Sequence, residues 1–198
     1  MRTFSHPGYK RFLLSVGCLL SIHFTALFFL TLFRLVFFFS ANYDFPDQEH
    51  VGFMSIWPAF IRGVWFDNVI ACYILLIPLV AVSISALFNY YGKILWNVTC
   101  IFFSLFYGIV LLVTAANIPY FQYFFKIINS SVFNWFGYMN TTAGMVFGET
   151  SYYPPLIGFL LTLVLFIWLM RRLIRHFQRL LNTKNPSVFW LDRIYIFL

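Results

Sequence analysis

The sequence predicts an all-α fold: a polytopic membrane helix bundle with four transmembrane helices, the start of a fifth, and interfacial helices in the outer loops. Three observations predict it. Hydrophobic residues make up 62% of the 198 and charged residues only 10%, with a mean hydropathy of +0.83, whereas a soluble domain carries about a quarter charged residues. Four apolar runs come near or beyond the length of about 20 residues that a helix needs to cross hydrocarbon. The charged residues that remain are sorted by sign between alternate connections. Four spans leave no room for a separate soluble domain of ordinary size, so residues 1–198 read as one transmembrane domain.

In chain order, Met1 to Arg11 carries Arg2, Lys10 and Arg11 and no acid. The run 12–39 follows as the first span. It is too long for the core of a signal peptide, which is about 7–15 residues, and Phe39-Ser40-Ala41 is a poor cleavage site. Arg34, near its far end, can snorkel to the interface. Asp44, Asp47 and Glu49 around Pro46 form an acidic exposed loop. Ser55 to Asp67 reads as a short interfacial piece, with Trp57, Trp65 and Phe66 suited to the headgroup belt. It leads into the second span, 69–88, which Pro78 is expected to kink.

A tight turn, Asn89 to Lys93, precedes the third span, 94–118. From Pro119 to Ser151 the chain is aromatic but interrupted by Asn, Ser, Thr and Gly, and short interfacial helices are expected there. The fourth span, 153–170, is stopped by Arg171, Arg172, Arg175 and Arg179. A last apolar stretch from Ile194 reads as the threshold of a fifth span.

Of the 13 basic residues, ten (Arg2, Lys10, Arg11, Lys93, Arg171, Arg172, Arg175, Arg179, Lys184 and Arg193) fall in segments that share one side of a four-span bundle. Cationic loops stay in the cytoplasm, which puts the amino terminus there. Five of the six acids (Asp44, Asp47, Glu49, Asp67 and Glu149) fall on the other side.

The stretch Phe60 to Asp67 places Arg62 and Asp67 five residues apart among aromatics, at the doorstep of the second span. Two readings fit. Arg62, with Lys126 from the other outer loop, attracts the phosphate of a membrane lipid while Asp67 and Asn117 hold the cations in place; or Arg62 and Asp67 join a mutual or interhelical ion pair that orients the helix. Elsewhere the residues favour structural roles. His23 is expected to bond a neighbouring helix. Cys18, Cys72 and Cys100 lie in separate apolar runs and behave as small hydrophobes. The run Arg171 to Arg193 reads as a stop signal that also touches anionic phospholipid, each charge contributing about 1 kcal/mol, rather than as a nucleic-acid site. Gly144 and Gly148 have the spacing of a helix-pairing motif, which leaves an oligomer open. Six acids and four histidines scattered over both sides and the core give no converging ligand set for a metal-dependent transferase, and Thr141 and Thr142 read as loop residues.

Gly63-Val64-Trp65-Phe66-Asp67 leading into a span, with Ala116-Asn117-Ile118-Pro119-Tyr120-Phe121-Gln122-Tyr123-Phe124-Phe125-Lys126 after the third, resembles the amino-terminal membrane half of the lipoteichoic-acid-synthase-like phosphoglycerol transferases, of the alkaline phosphatase and sulfatase superfamily. Where the family has a basic residue before the Phe-Asp pair this chain has Trp65, which leaves Arg62 to serve. The resemblance implies a five-span anchor in a bacterial cytoplasmic membrane, followed by an extracytoplasmic catalytic domain that would carry the nucleophilic threonine and any divalent metal. It assigns no catalytic residue, metal or cofactor to residues 1–198. The rival expectation is a self-contained small membrane protein, a transporter subunit or a partner for other membrane helices.

Overall fold

The computed structural model describes residues 7–43, 53–88, 90–129, 144, 148 and 150–182. Among the described residues there are four long α-helices: α1 (Pro7–Tyr43), α2 (Phe53–Leu87), α3 (Lys93–Phe124) and α4 (Tyr153–Asn182), the last entered through a 3-10 turn at Thr150–Tyr152. The described residues contain no strand. Each helix holds a segment long and apolar enough to cross a membrane: Gly8–Ser40, Trp57–Leu87, Lys93–Gln122 and Tyr153–Leu181. The expected fold class, a polytopic helical bundle, is therefore the one observed. The start of a fifth span at 194, the acidic loop and the paired threonines lie outside the described residues, as does most of the segment expected to form interfacial helices.

The helices are longer than the apolar runs that announced them. Ser55 to Asp67 is no separate interfacial piece but the first part of α2, which runs unbroken from Phe53 to Leu87. No helix-stopping residue stands between Asp67 and Val69. α2 also continues through Pro78, which is buried. α3 does not end at Pro119 but carries it inside the helix, to Phe124. A proline there removes one backbone donor and crowds the carbonyl four residues back, which α3 tolerates near its end. The arginines after Met170 end the apolar run without ending the helix. Arg and Leu are strong helix formers, and α4 continues to Asn182.

Local chemistry explains the ends. Pro7 opens α1 and Pro154 and Pro155 lie in the first turn of α4, where the missing N–H has no helical partner to lose. α2 closes with the Tyr90 N–H donating to the Ser85 carbonyl, 2.8 Å. In that turn burial pushes the Tyr91 phenol up to about 12, with the Arg11 guanidinium pulling the other way. Hydroxyls inside the spans turn back on their own helices: Ser21 to Gly17 O, Thr25 to Ser21 O, Ser83 to Leu79 O and Thr114 to Val110 O, each 2.8 Å. Hydrocarbon offers them no other acceptor.

The chain clusters into two units. The first takes residues 1–28, 68–107 and 166–198. Its core is Cys18, Leu19 and Ile22 of α1, Ala71, Ile74 and Val82 of α2, Trp96, Phe103 and Tyr107 of α3, and Phe166 and Met170 of α4. Tyr107 organises it: its ring stacks on Phe103 at 5.6 Å and meets Phe166 edge-on at 5.5 Å, and its hydroxyl faces the Ala71 carbonyl at 3.5 Å. The second unit takes residues 29–67 and 108–165. It buries Phe29, Leu30 and Phe33 of α1, Leu111, Ala115 and Ile118 of α3, and Phe159 of α4. Phe37 and Phe121 meet edge-on at 5.2 Å.

Candidate functional site

α1 brings Arg34 and α2 brings Asp67 to one place in the second unit. Arg34 Nη2 donates to Asp67 Oδ1 at 2.7 Å and Nε donates to Oδ2 at 3.0 Å. This fork matches the planar guanidinium to both carboxylate oxygens. The side chains keep 31% and 13% of their exposure, so the pair is shielded on the carboxylate side and open toward the arginine. An unpaired charge in a span is expensive; here each supplies the other's partner. The backbone makes room. One turn before Asp67, Gly63 is buried, and a Cβ added there would overlap the Arg34 guanidinium. The glycine is the notch in which the arginine lies.

Of the four residues singled out from sequence, Asp67 alone enters an ion pair, and its partner is Arg34. Arg62 is exposed on α2 and pairs with no acid among the described residues. The interhelical form of the ion-pair reading is therefore observed with a different cation. Arg34 does not snorkel free; a carboxylate within reach is a better partner than the interface. Asn117, expected beside a cation, accepts the Ile128 N–H on its Oδ1 at 2.8 Å. It fastens the chain that leaves α3. Lys126 is exposed in that same turn. The turn begins at Phe125, whose φ of 51° lies in the left-handed region, while its N–H closes on Phe121 O at 2.8 Å.

Sequence reasoning missed Arg34 as the partner and Gly63 as its seat. The signal was present: a glycine four residues before an acid on one helical face, and one cation near the end of the preceding span.

In the first unit His23, 5% exposed, meets Asn68 with Nε2 at 3.1 Å from Oδ1. This is the bond to a neighbouring helix that its position suggested. In the second unit a cavity of about 390 Å³ opens among α1, α3 and α4. Leu32, Phe33 and Val36 form its apolar wall on α1, and Ser40 and Gln122 stand at one end. Among the described residues no three His, Cys, Asp or Glu side chains come together to hold a metal.

Four membrane-length helices, with a charge pair and a polar contact between α1 and α2, define a multi-pass helical membrane protein. No family model, no curated protein and no solved structure matches the chain.

Proposed function

We propose that the chain is the membrane anchor of a lipoteichoic-acid-synthase-like phosphoglycerol transferase, or of a related phosphotransferase acting on cell-envelope lipids or polymers. It sits in a bacterial cytoplasmic membrane with Met1 to Arg11 on the cytoplasmic side. Residues 1–198 supply the framework, and a domain outside the membrane would hold the metal and the nucleophile.

The observation that carries this reading is the use to which the two resembling segments are put. Gly63 and Asp67 of the first seat and bind Arg34, and Asn117 of the second binds Ile128, all within one unit. These are framework tasks, and none of the three polar side chains is left over for chemistry. Arg62 and Lys126, both exposed, are the cations free to meet the phosphate of an anionic phospholipid.

The test is the size of the native species, detected in membranes of the source organism with an antibody against the Met1 to Arg11 end. A protein far larger than 23.4 kDa is expected. A stable species of 23.4 kDa would overturn the anchor reading in favour of a self-contained small membrane protein.

A further inference from the structure

We infer that the cavity of the second unit is a binding slot for one acyl chain of a membrane glycerophospholipid. This stands independently of the phosphotransferase reading, because it follows from the shape and chemistry of the cavity alone. The wall residues recur at helical spacing: Leu32, Val36 and Ser40 on α1 and Pro154, Gly158 and Thr162 on α4. Eight residues at 1.5 Å each give a slot about 12 Å long, parallel to the helices. Its volume of about 390 Å³ lies within the range of ligand pockets, about 300–1,000 Å³.

The slot has a direction. Ser40 and Gln122 are the last residues of the first and third spans, so the polar end lies where hydrocarbon gives way to headgroups. Leu32 and Thr162 lie eight and nine residues into their spans from that end, and the wall between is apolar. A molecule that is polar at one end and a methylene chain along the rest fits this order.

Water does not. An ordered water needs two to four polar partners, and away from the Ser40 and Gln122 end Thr162 is the one polar side chain of the lining. An empty slot open to a bilayer would forfeit the dispersion contacts of its whole lining. The surrounding solvent is itself acyl chains.

Gly158 keeps the slot open. A Cβ built there meets no atom within 4 Å, although a glycine inside a helix is less favourable than alanine by about 1 kcal/mol. The vacancy beside it is therefore not required by packing of the chain against itself.

That vacancy also makes a clean test. Gly158→Leu fills the slot with a residue that favours helix, and a Cβ at that position meets no atom within 4 Å. Val36→Trp fills it from the opposite wall and serves as the second variant. The full chain is reconstituted in vesicles of phosphatidylglycerol and phosphatidylethanolamine doped with a phospholipid bearing a diazirine on one acyl chain, then illuminated and mapped by peptide mass spectrometry. In the wild type, label is expected to concentrate on the slot residues Leu32, Val36 and Ser40 of α1 and Pro154, Gly158 and Thr162 of α4, above its level at Leu161, which is 67% exposed and not part of the lining. Gly158→Leu and Val36→Trp should each lower it roughly tenfold and leave labelling of Leu161 unchanged. Equal labelling of the slot and Leu161 in the wild type, or undiminished slot labelling in either variant, would overturn the proposal. A Gly158→Cys chain in which Cys18, Cys72 and Cys100 are replaced by alanine, oxidised in native membranes, separates the remaining occupant. It should stay monomeric, whereas a disulfide-linked dimer would place a second copy in the slot and overturn the lipid assignment.

Discussion

Gly63 is the residue at which propensity and tertiary structure disagree most openly. In an exposed helix, replacing glycine by alanine stabilises by about 1 kcal/mol, but here the new methyl would occupy the space of the Arg34 guanidinium. Because two bonds to Asp67 fix that guanidinium, it cannot move aside without loosening the pair. Gly63→Ala is therefore expected to destabilise the chain by about 1–3 kcal/mol, the usual cost of overpacking. In an Arg34→Ala background, with the notch empty, the same substitution should stabilise by up to about 1 kcal/mol. Unfolding midpoints in mild detergent for the four chains of this cycle decide it; an effect of the same sign in both backgrounds would mean that the glycine does not seat the arginine. The residues of this site were half legible in the sequence. The cost of an isolated charge near hydrocarbon singled out Asp67. Its partner is 33 positions away, on a helix whose facing side only packing determines, so proximity in sequence pointed to Arg62 instead.

At the scale of elements, helix existence was legible and helix ends were not. Hydropathy reports where hydrocarbon begins, and a helix has no reason to stop there. α4 therefore outruns its apolar segment by the twelve residues from Arg171 to Asn182, and α3 runs past Pro119. What ends α3 is a turn with no glycine: Phe125 takes the left-handed conformation that glycine usually supplies, at about 1–2 kcal/mol for a residue with a Cβ. Asn117 offsets part of this by accepting the Ile128 N–H. Two opposite effects follow. Phe125→Gly should raise stability by about 1 kcal/mol, the relief of strain set against the loss of the edge-on contact between the Phe125 and Phe121 rings, 6.4 Å between centroids. Asn117→Ala should lower it by about 1 kcal/mol and speed hydrogen exchange at the Ile128 amide, while exchange deep in α3 is unchanged. Protection of Ile128 that survives Asn117→Ala would show that the turn is held by something else.

Across the whole molecule, charge is partitioned as the chain is. Every described cation of the basic set, Lys10, Arg11, Lys93, Arg171, Arg172, Arg175 and Arg179, belongs to the first unit, and Arg34, Arg62, Asp67 and Lys126 all belong to the second. This sorting was fully legible, because it needs only the order of loops and spans. It has a functional consequence when joined to the preference of cationic loops for the cytoplasm. In a background where Cys18, Cys72 and Cys100 are replaced by alanine, single cysteines at positions 10 and 179 should be shielded from a membrane-impermeant maleimide applied to intact cells. Cysteines at 62 and 126 should react. Permeabilising the cells should equalise all four. Reaction at 10 and 179 with shielding at 62 and 126 would reverse the orientation and move Arg62 and Lys126 to the cytoplasmic leaflet. The anchor reading could not survive that, since the catalytic domain it proposes would act outside the cytoplasm. Different outcomes at 10 and 179 would contradict an even number of crossings, and with it the common side on which the basic segments are expected to lie.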